Sequence, residues 1–218
     1  MQRIIQTTAD GSPTIAIPDM RVTYHSRYGA VQESRHVFIE AGLMPMLQQH
    51  ETLRIFEMGF GTGLNALLTL EQAIAQAQAV FYQAVEKYSL CSEEWQALDY
   101  SPVLPKAYFT ALHQCKWNEP AAIHPFFTLN KSNTPLQEFK TTLPFHLIYY
   151  DAFAPAAQPE LWTQQVFEQL YTMLLNGGVL VTYCSKGDVR RNMLAARFKV
   201  EKLAGPPGKR EILRAIKQ

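Results

Sequence analysis

Three acids and a run of glycines carry the chemistry written into this sequence. In FEMGFGTGLN (56–65), Glu57 precedes Gly59, Gly61 and Gly63, which stand at every second position. Glycines in such a run permit tight turning and close approach of the backbone to a ligand. A dinucleotide loop reads G-x-G-x-x-G and aims a helix N-terminus at a pyrophosphate. The spacing here is G-x-G-x-G, and a carboxylate ahead of it repels a pyrophosphate and favours a ligand with a cationic end. Glu86, in AVEKY, closes the next β-rich run. A carboxylate there can accept two charge-assisted bonds from ribose hydroxyls, a role that NAD-linked enzymes also give to an acid at this place. Asp151 follows the apolar run PFHLIYY (144–150). A carboxylate at the end of a buried strand is costly unless it meets a ligand or a hydrogen-bond network. The alternative, a cap on the following helix, is opposed by Pro159, which places the helix start several residues later. Phe153 and Pro155 beside it are suited to walling a planar group.

Those residues need a frame. From Leu53 the pattern alternates. LRIFEM (53–58), AVFYQAVE (79–86), HPFFTLNK (124–131), PFHLIYY and GVLVTYC (178–184) read as strands. GLNALLTLEQAIAQAQ (63–78), LCSEEWQAL (90–98), PKAYFTALHQ (105–114), PELWTQQVFEQLYTMLLN (159–176) and KGDVRRNMLAAR (186–197) read as helices. In the fourth of these helices Pro159 suits the first turn and the Gly177–Gly178 pair suits the end. FKVEKL and REILRAI have no helix between them and are expected to pair antiparallel across AGPPGK. Alternation of this kind implies a parallel sheet with helices on both faces. In such sheets ligands sit beyond the carboxyl ends of the strands. Residues 1–50 differ: RIIQTTADGSPTIAI reads as two strands around an Asp10–Gly11 turn, followed by a short strand and a helix start. We expect an N-terminal β-rich cap over 1–50 and one main domain over 51–218.

The totals set limits. The chain has 218 residues, 47% hydrophobic and 18% charged, as for a globular domain with a full core. No apolar run reaches a membrane span, and MQRIIQTTADG lacks an apolar signal core. Cys91, Cys115 and Cys184 form no C-x-x-C pair, which points to reduced thiols and a cytoplasmic chain. His113-x-Cys115 lacks a second pair, so no metal is expected. Charge is uneven: from Tyr183 to Gln218 there are ten Lys/Arg against three Asp/Glu. A basic end on an acidic body suits contact with a polyanion, and it equally suits a solvated helix and strand.

The glycine loop with its preceding acid resembles motif I of the S-adenosylmethionine-dependent methyltransferases. A doubly wound, mostly parallel sheet closing in an antiparallel hairpin is the Rossmann-like layout of their class I fold. On that basis Glu57, Gly59, Phe60, Gly61, Gly63, Asn65 and Glu86 are expected to hold S-adenosylmethionine. The family often places a small–acidic pair after the third strand to hold adenine. TLNKSNTPL has none, which leaves Asn133 or backbone groups for that task.

A narrower resemblance follows. YYDAFAPAAQPELWT, the FEMGFGTGLNALLTL loop, GAVQESRHVF and GPPGKREIL together resemble the MnmC methyltransferase-domain family, from about Tyr24 to Ala215. The resemblance implies methyl transfer to the primary amine of 5-aminomethyl-(2-thio)uridine at the tRNA wobble position. The family's full-length enzyme also carries a flavin oxidase domain, and this chain has no second glycine fingerprint, so a stand-alone methyltransferase is expected. Asp151 is the expected catalytic group, orienting the amine. Tyr28 and Phe153, with Tyr150, are candidates to stack on a splayed base. Glu33, Ser34 and Arg35 match the family pattern as a lid or a capped helix entry. Lys209 and Arg210, in the loop between the last two strands, and Arg190 with Arg191 are candidate phosphate contacts. Three rivals stand beside this reading: a same-fold methyltransferase acting on a small-molecule or protein amine, an NAD-linked oxidoreductase, and a catalytically idle RNA-binding scaffold.

Overall fold

The computed structural model describes residues 2–218. The chain opens with β1 (Ile4–Thr7), β2 (Pro13–Ile17) and β3 (Val22–Thr23), an antiparallel sheet in that order. Helix α1 (Ala30–Ser34) runs directly into a wider, π-type coil over Arg35–Leu43. Then follow β4 (Thr52–Met58), α2 (Leu64–Ala75), β5 (Ala79–Val85), α3 (Ser92–Gln96), α4 (Lys106–Gln114), β6 (Ala121–His124) and β7 (Phe127–Ser132). The chain closes with β8 (Phe145–Tyr150), α5 (Gln164–Met173), β9 (Leu174–Thr182), α6 (Gly187–Ala195), β10 (Lys199–Ala204) and β11 (Glu211–Ile216).

The main sheet has eight strands in the order β10-β11-β9-β8-β4-β5-β7-β6. Strands β7, β5, β4, β8 and β9 are parallel, while β11 and β10 close one edge antiparallel, as expected. The strand order reverses between β4 and β8. Two cores fill the two faces. Ile55, Leu147 and Tyr149 point into the one covered by α2 and the π-type coil; Phe56, Ile148 and Tyr150 point into the one covered by α5 and α6. A central strand buried on both faces is nearly continuously apolar, which is why PFHLIYY has no alternation; its one ionisable exception, His146, accepts from Arg54 N through Nδ1 at 2.9 Å.

Three readings of the sequence are corrected. HPFFTLNK is not one strand: β6 and β7 form an antiparallel pair within 121–132, and only β7 joins the parallel set. The helix expected from Pro159 begins later: Pro159–Leu161 makes a single tight turn and α5 is capped by Thr163, whose hydroxyl oxygen accepts from Val166 N. Gly177–Gly178 does not end that helix. The helix stops at Met173, and the glycines form a bulge inside β9, where Phe145 pairs with Leu174 and Leu147 with Val179. Gly177, at φ +77°, donates its N–H to Lys217 O at 2.8 Å, so the bulge ties β9 to the C-terminus.

The Asp10–Gly11 turn does more than close a hairpin. Asp10 Oδ1 accepts from Ser12 N at 3.0 Å and Thr8 Oγ1 at 2.7 Å, and Oδ2 accepts from Gln32 N at 3.0 Å. Ser12 Oγ accepts from Ala30 N at 3.2 Å and Val31 N at 3.3 Å. The turn therefore caps the free N–H groups at the start of α1. Gly29 is needed there, since a Cβ would lie 2.7 Å from Asp10 Oδ2. Asp10→Ala should cost about 1 kcal/mol or more in urea unfolding, the usual worth of an N-cap; an unchanged midpoint would remove this account of how α1 is anchored.

Candidate functional site

The glycine loop leaves β4 at the reversal of strand order and the Asp151 loop leaves β8 beside it. Asp151 N donates to Met58 O at 3.1 Å, which joins the two loops at the strand ends. Gly59, Gly61 and Gly63 take φ of +91°, +51° and +75°, a region that side chains strain to enter. A Cβ on Gly59 would also sit 3.0 Å from Asp151 O, and one on Gly61 3.1 Å from the Tyr24 ring. The glycines thus admit two neighbours at once, the Asp151 loop and the N-terminal segment. Glu86 fixes the turn as Oε2 accepts from Gly61 N at 3.0 Å and Oε1 from Tyr88 N at 2.8 Å.

Two hollows open at this point. The larger, about 560 Å³, is floored by Gly59, Phe60 and Gly61 and walled by Asn65, Glu86 and Gln137. The smaller, about 260 Å³, is lined by Glu33, Lys209, Tyr183 and Thr23, among others. Tyr24, His25, Asp151, Ala152 and Phe153 line both and form the partition. Asp151 Oδ2 accepts from Asn65 Nδ2 at 2.9 Å. Burial pushes the Asp151 carboxyl up to about 7, with the Glu33 charge adding to the rise, while the Asn65 hydrogen bond and the Lys209 ammonium oppose it. The group therefore titrates near neutrality and can take up and release a proton there.

The loop that carries Asp151 is held from behind. Trp162 Nε1 donates to Phe153 O at 2.8 Å, Asn192 Nδ2 donates to Trp162 O at 2.8 Å, and Tyr183 OH donates to Ala152 O at 2.9 Å. This explains the spacing of Asp151, Phe153 and Trp162: the buried indole fixes the backbone between strand and helix. Phe153 meets Tyr24 edge-on with centroids 5.1 Å apart, so the partition is one aromatic pair thick.

The expected site residues divide into those the fold gathers and those it does not. Gly59, Phe60, Gly61, Asn65 and Glu86 line the larger hollow, Glu33 and Lys209 the smaller, and Asp151 and Phe153 both. Gly63 caps α2 from outside the hollow, packed against Phe60 and His113. Glu57, 1% exposed, lies behind the wall and reaches the hollow only through Asn65, whose Nδ2 donates to Glu57 Oε1 at 3.0 Å. Asn133 lines neither hollow; its N–H bonds Asn118 Oδ1, and Pro135, Leu136 and Gln137 take the position expected of it. Tyr150 is fully buried, its hydroxyl donating to Leu161 O, and cannot stack on a base. Tyr28 is 61% exposed, its ring against Gly208 in the last hairpin. Arg190 and Arg210 lie outside both hollows, and Arg191 pairs with Asp188 on the surface. Lys209 points inward, paired with Glu33, with its Nζ 4.0 Å from the centre of the Tyr183 ring. Arg35 makes a two-point bridge to Glu71 on α2, at 2.7 and 2.9 Å, which fastens the helix down.

Sequence reading missed Tyr24, His25, Gln137 and Tyr183. His25 bridges Thr14 Oγ1 at 3.1 Å and Thr62 Oγ1 at 3.3 Å, joining β2 to the glycine loop, and burial pulls its pKa down to about 4. It acts as a neutral bridge. Lys131 lies in TLNKSNTPL, the segment without a small–acidic pair. It is 1% exposed, donates to Leu112 O at 2.7 Å and His113 O at 2.9 Å, and lies over the Trp117 and Phe60 rings. It satisfies the last carbonyls of α4 and supports the Phe60 side of the loop.

Comparison with known proteins bears on the family and the fold. A family model described as S-adenosyl-L-methionine-dependent methyltransferase matches residues 127–218. The chain is 33% identical, over 97% of its length, to the tRNA 5-methylaminomethyl-2-thiouridine biosynthesis bifunctional protein MnmC of Pseudoalteromonas atlantica, and covers 33% of that protein. It is 31% identical, over 95% of its length, to MnmC of Aromatoleum aromaticum, of which it covers 34%. The chain thus spans about a third of the length of the curated relatives it matches. Among solved structures, MnmC2 from Aquifex aeolicus superposes with a TM-score of 0.81 at 24% identity, over 99% of this chain and 70% of that one. Spermidine synthase from Thermotoga maritima gives 0.60 at 14% identity, over 98% and 68%. The fold is the Rossmann-like class I methyltransferase fold.

Two outcomes test the site. Gly59→Ala should weaken S-adenosylmethionine binding at least about tenfold in calorimetry, since it adds backbone strain of about 1–3 kcal/mol and presses on Asp151 O. A raised Asp151 pKa stabilises the fold fully only below the ordinary carboxylate range, and that contribution is lost as pH rises through about 7. Ligand-free protein should therefore lose melting temperature from about pH 5 to pH 8, and Asp151→Asn should flatten that loss. Parallel curves for the two proteins would contradict the assignment.

Proposed function

Taking the chain as an S-adenosyl-L-methionine-dependent methyltransferase of the MnmC family, we propose that it methylates the primary amine of 5-aminomethyl-(2-thio)uridine at the tRNA wobble position. The observation that carries this reading is the place of Asp151, in the partition between a hollow built on the glycine loop and a smaller one walled by Phe153, Tyr24 and Tyr183. The residues fit the cofactor. Glu86 offers carboxylate lone pairs at the position suited to ribose hydroxyls, and Asn65 Oδ1 is a buried acceptor without a partner among the described residues, suited to an ammonium. A cavity of about 560 Å³ lies within the range that ligands of this size fill.

S-adenosylmethionine supplies an electrophilic methyl group when bound. Only a neutral amine has a lone pair to attack it, and an alkylamine with a pKa of about 10 is almost wholly protonated at pH 7. Asp151 accepts a hydrogen bond from the substrate ammonium, takes its proton, and leaves the lone pair aimed across the partition. Glu86 and Asn65 would hold the methyl donor on the far side of the partition, and Asp151 returns its proton to water after transfer. With a carboxyl near 7 the proton transfer is uphill by about 4 kcal/mol, against about 8 for an ordinary carboxylate. Positioning supplies much of the remainder.

Residues 1–50 serve in this reading as a cap that closes both hollows. The base enters the smaller one beside Phe153. Lys209, held by Glu33, faces that base; phosphate contact falls to exposed cations such as Arg210. Lys202 and Arg214 pair with Glu211 and Glu201, and so are weaker candidates. No helix among the described residues is long and apolar enough to cross a membrane; a tRNA substrate supports a cytoplasmic location.

The test is nucleoside mass analysis of tRNA from a strain lacking the protein, with complementation. Accumulated 5-aminomethyl derivatives, cleared by the wild-type chain, are expected; an unchanged profile would move the assignment to another amine. Asp151→Ala should lower kcat at least about 100-fold and change S-adenosylmethionine affinity only a few-fold; near-normal turnover would refute the role.

A further inference from the structure

We infer that Glu57 and Asn65 form a positioning relay: Glu57 fixes the Asn65 amide, and Asn65 holds the Asp151 carboxylate on one side and the cofactor's ammonium on the other. This rests on the reading of Asp151 given above and assigns Glu57 a task other than touching the cofactor.

The geometry is a single amide nitrogen with two hydrogens and two acceptors. Asn65 Nδ2 lies 3.0 Å from Glu57 Oε1 and 2.9 Å from Asp151 Oδ2. Asn65 is 3% exposed and lines the larger hollow, while Glu57, 1% exposed, lines neither. Both hydrogens point at carboxyl groups, so the amide oxygen must face the other way. That oxygen has no partner among the described residues, and neither has Glu57 Oε2, which lies beside the Tyr82 hydroxyl. An unpaired acceptor out of contact with solvent, on a residue that lines a cavity, is costly in the empty protein and favourable once a donor reaches it. The sulfonium cofactor carries one such donor, its α-ammonium.

Two charged carboxylates would not share one small donor in a dry wall. Burial pushes the Glu57 carboxyl well above its ordinary range, with Asp151 adding to the rise, so Glu57 holds its proton more firmly than Asp151, which shares a proton with water near neutrality. Glu57 is then a neutral clamp: its Oε1 accepts from the amide and its hydroxyl faces Tyr82. An ammonium bound at Asn65 Oδ1 polarises the amide and strengthens the bond that Nδ2 gives to Asp151. The base is therefore drawn to its charged form when the methyl donor is in place, and by reciprocity an ionised Asp151 favours the donor. Groups facing Asp151 from the other side are Glu33 and Lys209, which pair with each other.

The test uses calorimetry of S-adenosylmethionine binding near pH 7 in buffers of different ionisation heat, which reads proton release without tRNA. The wild-type chain should release part of a proton on binding, and Asn65→Leu should abolish that release and weaken binding about tenfold. Glu57→Gln, which keeps a neutral clamp, should retain release and bind within about threefold of wild type. Glu57→Leu should lower kcat on aminomethyl tRNA about tenfold with the Kd for S-adenosylmethionine within about threefold. Loss of affinity of tenfold or more in Glu57→Gln would overturn the relay in favour of a charged Glu57 contact to the cofactor. Wild-type turnover in Glu57→Leu, or undiminished proton release in Asn65→Leu, would also overturn it. Should Glu57→Leu fail to fold, Asn65→Ala takes its place, with loss of release expected and retained release contradicting. A failure of tRNA methylation by the wild-type chain would remove the substrate assignment and leave the proton-release arms to decide the relay.

Discussion

The pairing of β4 with β8 at the centre of the main sheet is the constraint on which the rest depends. These strands are parallel neighbours, and the chain leaves them toward opposite faces, to α2 on one and α5 on the other. A gap must open between the departing loops. The single bond from Asp151 N to Met58 O sets its width at the base. Because Gly59 has no side chain, the Asp151 backbone can sit against it, and the carboxylate then projects where the two hollows meet. The apolar run of β8 makes this rigid. Every residue from Phe145 to Tyr150 is buried, so the strand has no freedom to shift the acid at its end.

The second requirement is closure from the N-terminal side. An open sheet offers a crevice with one wall missing, and here Tyr24 and His25 supply it. Tyr24 packs on Gly61 and Phe153, and His25 bonds Thr62. The segment can reach the site because α1 is anchored by the Asp10 turn at its start and by Arg35 to Glu71 on α2. Sequence-distant caps thus tie a small separate sheet to the glycine loop. The result is a site in which burial, more than any neighbouring charge, raises the Asp151 carboxyl toward neutrality.

Much of this was legible in the sequence, for physical reasons. Alternate glycines behind an acid, a second acid at the next strand end, and an acid closing a fully apolar run are local patterns, and each marks a strand terminus. They located Glu57, Gly59, Gly61, Glu86 and Asp151 on adjacent parallel strands, and the closing antiparallel hairpin was read correctly. What failed depended on direction of side chains or on tertiary partners. Glu57 was placed at the ligand because a strand end is near the site, but its side chain points into the wall. Lys209 looked like a surface cation because its loop is rich in proline and glycine, yet Glu33, distant in sequence, draws it inward. Gly177–Gly178 looked like a helix stop because a bulge inside a strand has the same composition as a cap. Tyr24 and His25 carry no spacing signal, since their role arises only when the N-terminal segment folds back on the glycine loop.

The central claim is that the methyl donor and the amine meet at Asp151 across the partition between the two hollows. A crystal structure with S-adenosylhomocysteine and a 5-aminomethyluridine nucleotide measures this directly. The account predicts the sulfur in the larger hollow and the amine nitrogen against the Asp151 carboxylate beside Phe153, with room between them for one methyl group. A sulfur turned away from Asp151, or a base seated outside the smaller hollow with the carboxylate bonded only to the protein, would contradict it.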